Sequence, residues 1–154
     1  MVYSAVVTAP FGRLGVLCID GELLELCFLP ADQPLQSPMA GSLEAEVARQ
    51  LNAYYADAGH VFDLPWRLRG TAYQLRVWRE IAAIPCGQTR RYLDLSRALD
   101  SSPRAVGGAC GRNPIPIIVP CHRVVASSGL GGFSQSTGDA TLDIKKWLLQ
   151  HEYR

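Results

Sequence analysis

Long hydrophobic runs are absent from this sequence. Its longest apolar stretches, such as residues 14–19, are far too short to cross a bilayer, which excludes a membrane-spanning protein and leaves no membrane partner to expect. No basic region followed by an apolar stretch opens the chain, so no secretory leader is expected, and the expected location is cytoplasmic. Charged residues are few, 19% of the 154 against 48% hydrophobic, and that balance excludes a disordered chain. Cysteine occurs five times, at Cys18, Cys27, Cys86, Cys110 and Cys121, and never with CxxC spacing. An odd, scattered set argues against a disulfide framework and against a four-ligand zinc site. A reducing compartment and at least one free thiol are expected, and neither a metal nor a cofactor is. Lysine is nearly absent: thirteen of the fifteen basic residues are Arg.

The charges that are present are unevenly placed. Residues 1–65 carry two Arg against eight carboxylates, whereas residues 66–154 carry eleven Arg and two Lys against six. Arg suits phosphate forks and base stacking. A basic half on a nearly neutral chain fits a polyanionic partner for that half, although a solvated Arg-rich face reads equally well from charge alone.

Short apolar runs at 3–9, 14–19 and 23–29, separated by Pro10–Gly12 and Asp20-Gly21, predict a β-meander. Residues 30–42 read as a Pro-rich loop. Ser42 caps a predicted helix with Leu43, Val47, Leu51 and Tyr54 or Tyr55 on one face, ended by Ala58-Gly59. Residues 61–66 read as an extended linker. Thr71 caps a second helix running to about Ile84, with Tyr73, Val77, Trp78 and Ile81 as its stripe. A short helix over 92–99 comes next, then a turn at Asp100-Ser101. Ser102 caps another helix, with Pro103 at its first position, reaching Gly111 or Arg112. Two short helices joined tightly in a basic block have the form of a helix-turn-helix, about 92–112, or of a plain packing pair.

The second of these helices has almost no bulk: Arg104-Ala105-Val106-Gly107-Gly108-Ala109-Cys110-Gly111. Glycine costs a helix interior up to about 1 kcal/mol relative to alanine. Close approach to DNA, or to a neighbouring helix, would give such glycines a purpose. Residues 114–120, Pro-Ile-Pro-Ile-Ile-Val-Pro, predict a stiff extended segment that fixes the position of residue 121. The chain there reads Pro120-Cys121-His122-Arg123-Val124. A thiol becomes a good nucleophile only as thiolate, so Cys121 needs a base. His122 is the obvious one. Adjacent residues of an extended chain point apart, so a water between them or a bend at Cys121 would be required. Glu152, near the end of a predicted helix over 143–152, is a candidate to orient His122.

These residues together resemble the O6-alkylguanine-DNA alkyltransferase (methylated-DNA–protein-cysteine methyltransferase) family. The resemblance rests on Arg104 to Ala109, Asn113-Pro114 and Pro120-Cys121-His122-Arg123-Val124-Val125. Gly70-Thr71-Ala72-Tyr73-Gln74, Ile84-Pro85-Cys86-Gly87-Gln88-Thr89 with Tyr92, and Lys146 to Glu152 extend it, densely over 70–152 and loosely over 1–69. It implies an α/β (α+β) fold. A small ribonuclease-H-like β-sheet lobe, 1–65, would pack on a mostly helical DNA-binding and alkyl-acceptor lobe, 66–154.

The resemblance also implies a suicide reaction on double-stranded DNA. An alkylated guanine is flipped out through the minor groove and its alkyl group moves irreversibly to Cys121. His122 acts as base through water, Glu152 orients it, Asn113 fixes the segment, and Tyr92 helps protonate the departing base. Arg104 is the finger filling the gap, and Ala105, Gly107, Gly108, Tyr92, Arg112 and Arg123 meet DNA. Pro116, Phe133, Ser134 and Cys110 line the base pocket. O4-alkylthymine is left open as a second lesion. A monomer with no obligate protein partner is implied.

Arg90-Arg91 stands where the family has Ser or Thr before the tyrosine, the turn from Tyr92 to Arg104 is about two residues short, and a longer polar stretch, 134–141, precedes the last helix. A helix-turn-helix damage sensor and a thiol hydrolase unrelated to DNA are the competing readings. The first would bind without accepting an alkyl group, and the second would do neither.

Overall fold

Asp20 and Gly21 both adopt positive φ, 51° and 77°, as a two-residue hairpin turn of the primed type requires. This turn joins β2 (Gly12–Ile19) to β3 (Glu22–Leu29), and β1 (Ala5–Ala9) pairs antiparallel with β2 on its other side. Leu14, Val16, Leu23 and Leu26 are buried from this sheet. The computed structural model describes residues 2–131 and 139–153. The chain divides into two compact units, Met1–Arg69 and Gly70–Arg154.

In the first unit α1 (Leu43–Ala56) is capped by Ser42, whose side chain accepts from the Ala45 N–H. Val47, Leu51 and Tyr54 form its buried stripe. Gln50 is buried with them, and its amide pairs with both backbone groups of Asp63 at 2.8 Å. The segment read as an extended linker is therefore tied down. Leu23 N–H donates to Pro65 O and Arg67 N–H to Leu23 O, so Trp66 lies beside Leu23 as a parallel bridge.

The second unit is built around α2 (Ala72–Ala82), where Thr71 and Gln74 form a reciprocal capping box. Val77, Trp78 and Ile81 are its buried face. Helices α3 (Tyr92–Ala98) and α4 (Pro103–Gly111) are the two short helices expected. Asp100, at φ 52°, turns the chain between them, and Ser102 caps α4 with Pro103 in its first turn. The turn is held from α2: the Tyr73 hydroxyl meets Ser101 Oγ at 2.9 Å and Arg76 donates to Leu99 O. Trp78 Nε1 donates to Ala109 O at 2.8 Å and so anchors α4.

Two residues, β4 (Arg90–Arg91), pair in parallel with β5 (Val124–Val125). α5 runs Asp139–Glu152, four residues longer at its start than expected. No helix among the described residues is long and apolar enough to cross a membrane.

Candidate active site and nucleic-acid face

The proline-rich segment is not extended as expected. Asn113 caps a tight fold instead: its Oδ1 accepts from Ile115 N–H, and Val119 N–H donates to Ile115 O. Ile117, at the centre, takes φ 75°, a region costing a β-branched residue about 1–3 kcal/mol. Pro120 then makes an inverse γ-turn (φ −83°, ψ 67°), with Cys121 N–H donating to Val119 O at 2.8 Å. Prolines restrict φ but do not forbid turns, and the Asn113 side chain supplies the missing partners.

Cys121 opens a single 3-10 turn, Cys121–Arg123, which is the bend that an extended reading lacked. Cys121 is only 4% exposed. Asn113 Nδ2 donates to both Val119 O (2.7 Å) and Cys121 Sγ (3.1 Å), tying the end of α4 to the sulfur. Burial pushes the Cys121 thiol well up, the neighbouring Cys110 adds to this, and Asn113 and the Lys145 cation pull the other way. At rest the sulfur is a protonated thiol.

His122 is fully buried, and its Nε2 lies 2.7 Å from Glu152 Oε2. An ionised Glu152 can only accept, so Nε2 carries the hydrogen and Nδ1 keeps its lone pair. Among the described residues, buried Nδ1 has no hydrogen-bond partner. Burial depresses the His122 pKa below 6.5, and the Glu152 carboxylate opposes that shift. The arrangement is a neutral imidazole, fixed in tautomer, with its basic nitrogen unspent.

Arg123 corrects an expectation. Anticipated at the DNA surface, it is turned inward with a side chain 13% exposed. Nε and Nη2 fork Glu152 at 2.8 and 3.0 Å, and Nη1 donates to Ile84 O at 2.7 Å. Its guanidinium is committed to holding the carboxylate that orients His122, because a buried carboxylate needs a charged partner.

The β4–β5 pairing carries Tyr92, the first residue of α3, to the segment just after Cys121. Burial pushes the Tyr92 hydroxyl above its usual range, with Cys110 and Cys121 close enough to add to the shift, so Tyr92 remains a proton donor. Gly131, at φ 75°, lies against this ring: a Cβ there would be 2.7 Å from Tyr92 Cε2. Only glycine serves both demands.

Lys145 is absent from the expected site residues. It is fully buried in α5, donates to Val124 O (2.7 Å) and Leu130 O (2.5 Å), and stands 5.8 Å from the Tyr92 ring centroid. Desolvation lowers its pKa to about 8, against the pull of Cys110 and Cys121. The signal available in the sequence is a lysine beside Ile144 and Leu148, on the stripe that ends at Glu152.

Among the anticipated pocket residues, Pro116 is buried in the turn bridged to Val119 and Cys110 is buried at the end of α4. Phe133 and Ser134 lie outside the described residues. On α4, Arg104, Ala105 and Gly108 are exposed, Gly107 is half-buried, and Arg112 is exposed at the helix end. Among the described residues, a Cβ built at Gly107 or Gly108 would meet nothing within 4 Å. Packing against a neighbouring helix therefore does not explain these two glycines.

Comparison with known proteins places this geometry. The family model for the DNA-binding domain of 6-O-methylguanine DNA methyltransferase matches residues 72–154. The methylated-DNA–protein-cysteine methyltransferase of Archaeoglobus fulgidus is 42% identical over 116 residues, 75% of this chain and 79% of that protein. That of Mycolicibacterium paratuberculosis is 38% identical across 100% of this chain and 94% of its own length. The Mycobacterium tuberculosis OGT crystallised in complex with DNA superimposes with a TM-score of 0.78 at 36% identity, covering 96% of this chain and 90% of that one.

Proposed function

This chain belongs to the 6-O-methylguanine DNA methyltransferase family, and from that premise we propose that it repairs DNA by taking the alkyl group of O6-alkylguanine onto its own Cys121. One observation carries the reading: a buried thiol is followed in the chain by a buried imidazole whose Nε2 is engaged by Glu152 and whose Nδ1 has no hydrogen-bond partner among the described residues.

The chemistry proceeds from these groups. His122 Nδ1 takes the Cys121 proton. Successive residues of a 3-10 turn diverge by about 120°, so the proton travels through one water. The sulfur attacks the saturated alkyl carbon, a C–S bond forms, and the C–O6 bond breaks toward the base. Tyr92, held protonated, donates to the departing guanine. The product is a thioether, which water does not hydrolyse, so each molecule acts once.

The target base must leave the stack, at a cost of a few kcal/mol. Exposed α4 is the face assigned to DNA: Arg104 fills the gap, while Ala105, Gly107 and Gly108 let the helix lie close in the minor groove. Arg112, at its end, reaches phosphate. The protein works as a monomer in the cytoplasm, without an obligate protein partner.

Incubation with a duplex containing O6-methylguanine is expected to add one methyl group to the intact mass, located on Cys121. Binding without mass gain would leave a damage sensor, and neither would leave an unrelated thiol enzyme. Arg104→Ala is expected to lose much more activity on duplex DNA than on a free O6-alkylated guanine base; equal losses would remove the finger role. Gly108→Ala is expected to stabilise α4 by about 0.5–1 kcal/mol, read as a higher melting temperature, while weakening duplex affinity.

A further inference from the structure

We propose that Tyr73 is a positioning residue for duplex recognition: its hydroxyl, acting through Ser101, fixes the end of α4 that carries Arg104, separately from the end that supports Cys121.

α4 has little of its own to hold it in place. Its buried residues are Val106, Ala109 and Cys110, and Gly107 and Gly108 bring no side chain to pack. Glycine also leaves a helix backbone freer than alanine does. Such a helix takes its direction from what grips its ends, and α2 grips both. At the far end Trp78 Nε1 donates to Ala109 O at 2.8 Å. Asn113 continues from there, its N–H donating to Cys110 O at 3.2 Å and its Nδ2 to Cys121 Sγ at 3.1 Å. At the near end the Tyr73 hydroxyl lies 2.9 Å from Ser101 Oγ. Ser101 precedes the cap Ser102, whose Oγ and carbonyl accept from Ala105 N–H and Val106 N–H, both at 3.1 Å. Arg104 stands three residues beyond Ser101.

The turn's own backbone ties it elsewhere. Leu99 N–H donates to Leu95 O at 3.0 Å and Ser101 N–H to Ser96 O at 2.8 Å, and both bonds lead back into α3. Asp100 holds φ 52°, a sparsely populated conformation for a residue other than glycine. Arg76, one turn after Tyr73 on the same face of α2, donates to Leu99 O at 3.2 Å. The hydroxyl pair carries this hold from Leu99 to the threshold of α4, and a hydrogen bond there fixes direction as well as distance.

What α4 and Arg104 do on DNA rests on the function proposed above; the tether does not. Tyr73→Phe, Ser101→Ala and the double variant remove the hydroxyls and leave the buried face of α2 as it is. Each full-length protein is titrated by anisotropy with an undamaged duplex. Methyl uptake is timed from an O6-methylguanine duplex and from the free O6-methylguanine base. Hydrogen exchange is followed over residues 102–108. Each single variant is expected to lose about threefold to tenfold in duplex affinity and duplex rate, the range one hydrogen bond supplies. The double variant is expected to lose no more than either single one, because both break the same contact. Uptake from the free base stays near wild type, and exchange over 102–108 quickens. Equal losses on duplex and free base would reduce Tyr73 to a general support of the fold and overturn the proposal. Additive losses in the double variant, or unchanged duplex affinity, would overturn it too. If the wild type takes up no methyl group but the variants lose duplex affinity as described, the tether stands and the repair function fails.

Discussion

Cys121→Ser is expected to take up no methyl group from an O6-methylguanine duplex, while still binding that duplex. The substitution keeps size and the Asn113 hydrogen bond, so the fold has no reason to change. What it removes is the soft nucleophile. A hydroxyl is a far weaker acid than a thiol and a poor attacker of a saturated carbon, and His122 cannot compensate because burial already holds its basicity below the ordinary imidazole value of 6.5. Intact-mass measurement reads the loss directly, and a gel-shift or anisotropy titration reads the retained binding. Methyl uptake by the Cys121→Ser variant at another cysteine would move the acceptor elsewhere and overturn the assignment.

Glu152→Gln is the second large effect, and it acts on rate and stability together. The carboxylate accepts from His122 and twice from Arg123 in a nearly solvent-free place. Breaking one side of a buried ion pair typically costs about 3–5 kcal/mol. Glutamine retains one acceptor oxygen, so the loss is expected at or somewhat below the lower end of that range, read by denaturant titration. Methyl transfer is expected to slow about a hundredfold, the lower end of what a positioned general base supplies. The pH profile separates orientation from mere destabilisation. Glu152 raises the His122 pKa, so its neutralisation lowers it further. Below that pKa the base is protonated and inactive; above it the base is available. The acid limb of the rate profile is therefore expected to move to lower pH in Glu152→Gln, with a reduced plateau. Duplex affinity stays close to wild type. A collapse of DNA binding, or an unmoved acid limb, would make Glu152 a purely structural residue.

Much of the local structure is readable in the linear order. Thr71, Ser42 and Ser102 cap the helices they precede, Asp20-Gly21 makes the hairpin, and Pro103 opens α4. Each depends on partners within about four residues, so each is written in the neighbouring letters. The Pro-rich run departs from its extended reading because its shape is decided by the Asn113 side chain rather than by the prolines. Gln50 and residues 65–67 depart from theirs for a related reason: their partners are distant in sequence.

By itself the sequence singled out Cys121 as the candidate nucleophile, its neighbour His122, the candidate Glu152 and the slender helix carrying Arg104. Only the tertiary structure decided that Arg123 turns inward to hold Glu152 and that Lys145 is buried beside Tyr92. The reason is one of reach. Composition and spacing specify what a segment can do with its own backbone, whereas the partner of a buried charge or sulfur is chosen by packing between segments some ten to fifty residues apart, where burial makes an unpaired group too costly to leave alone.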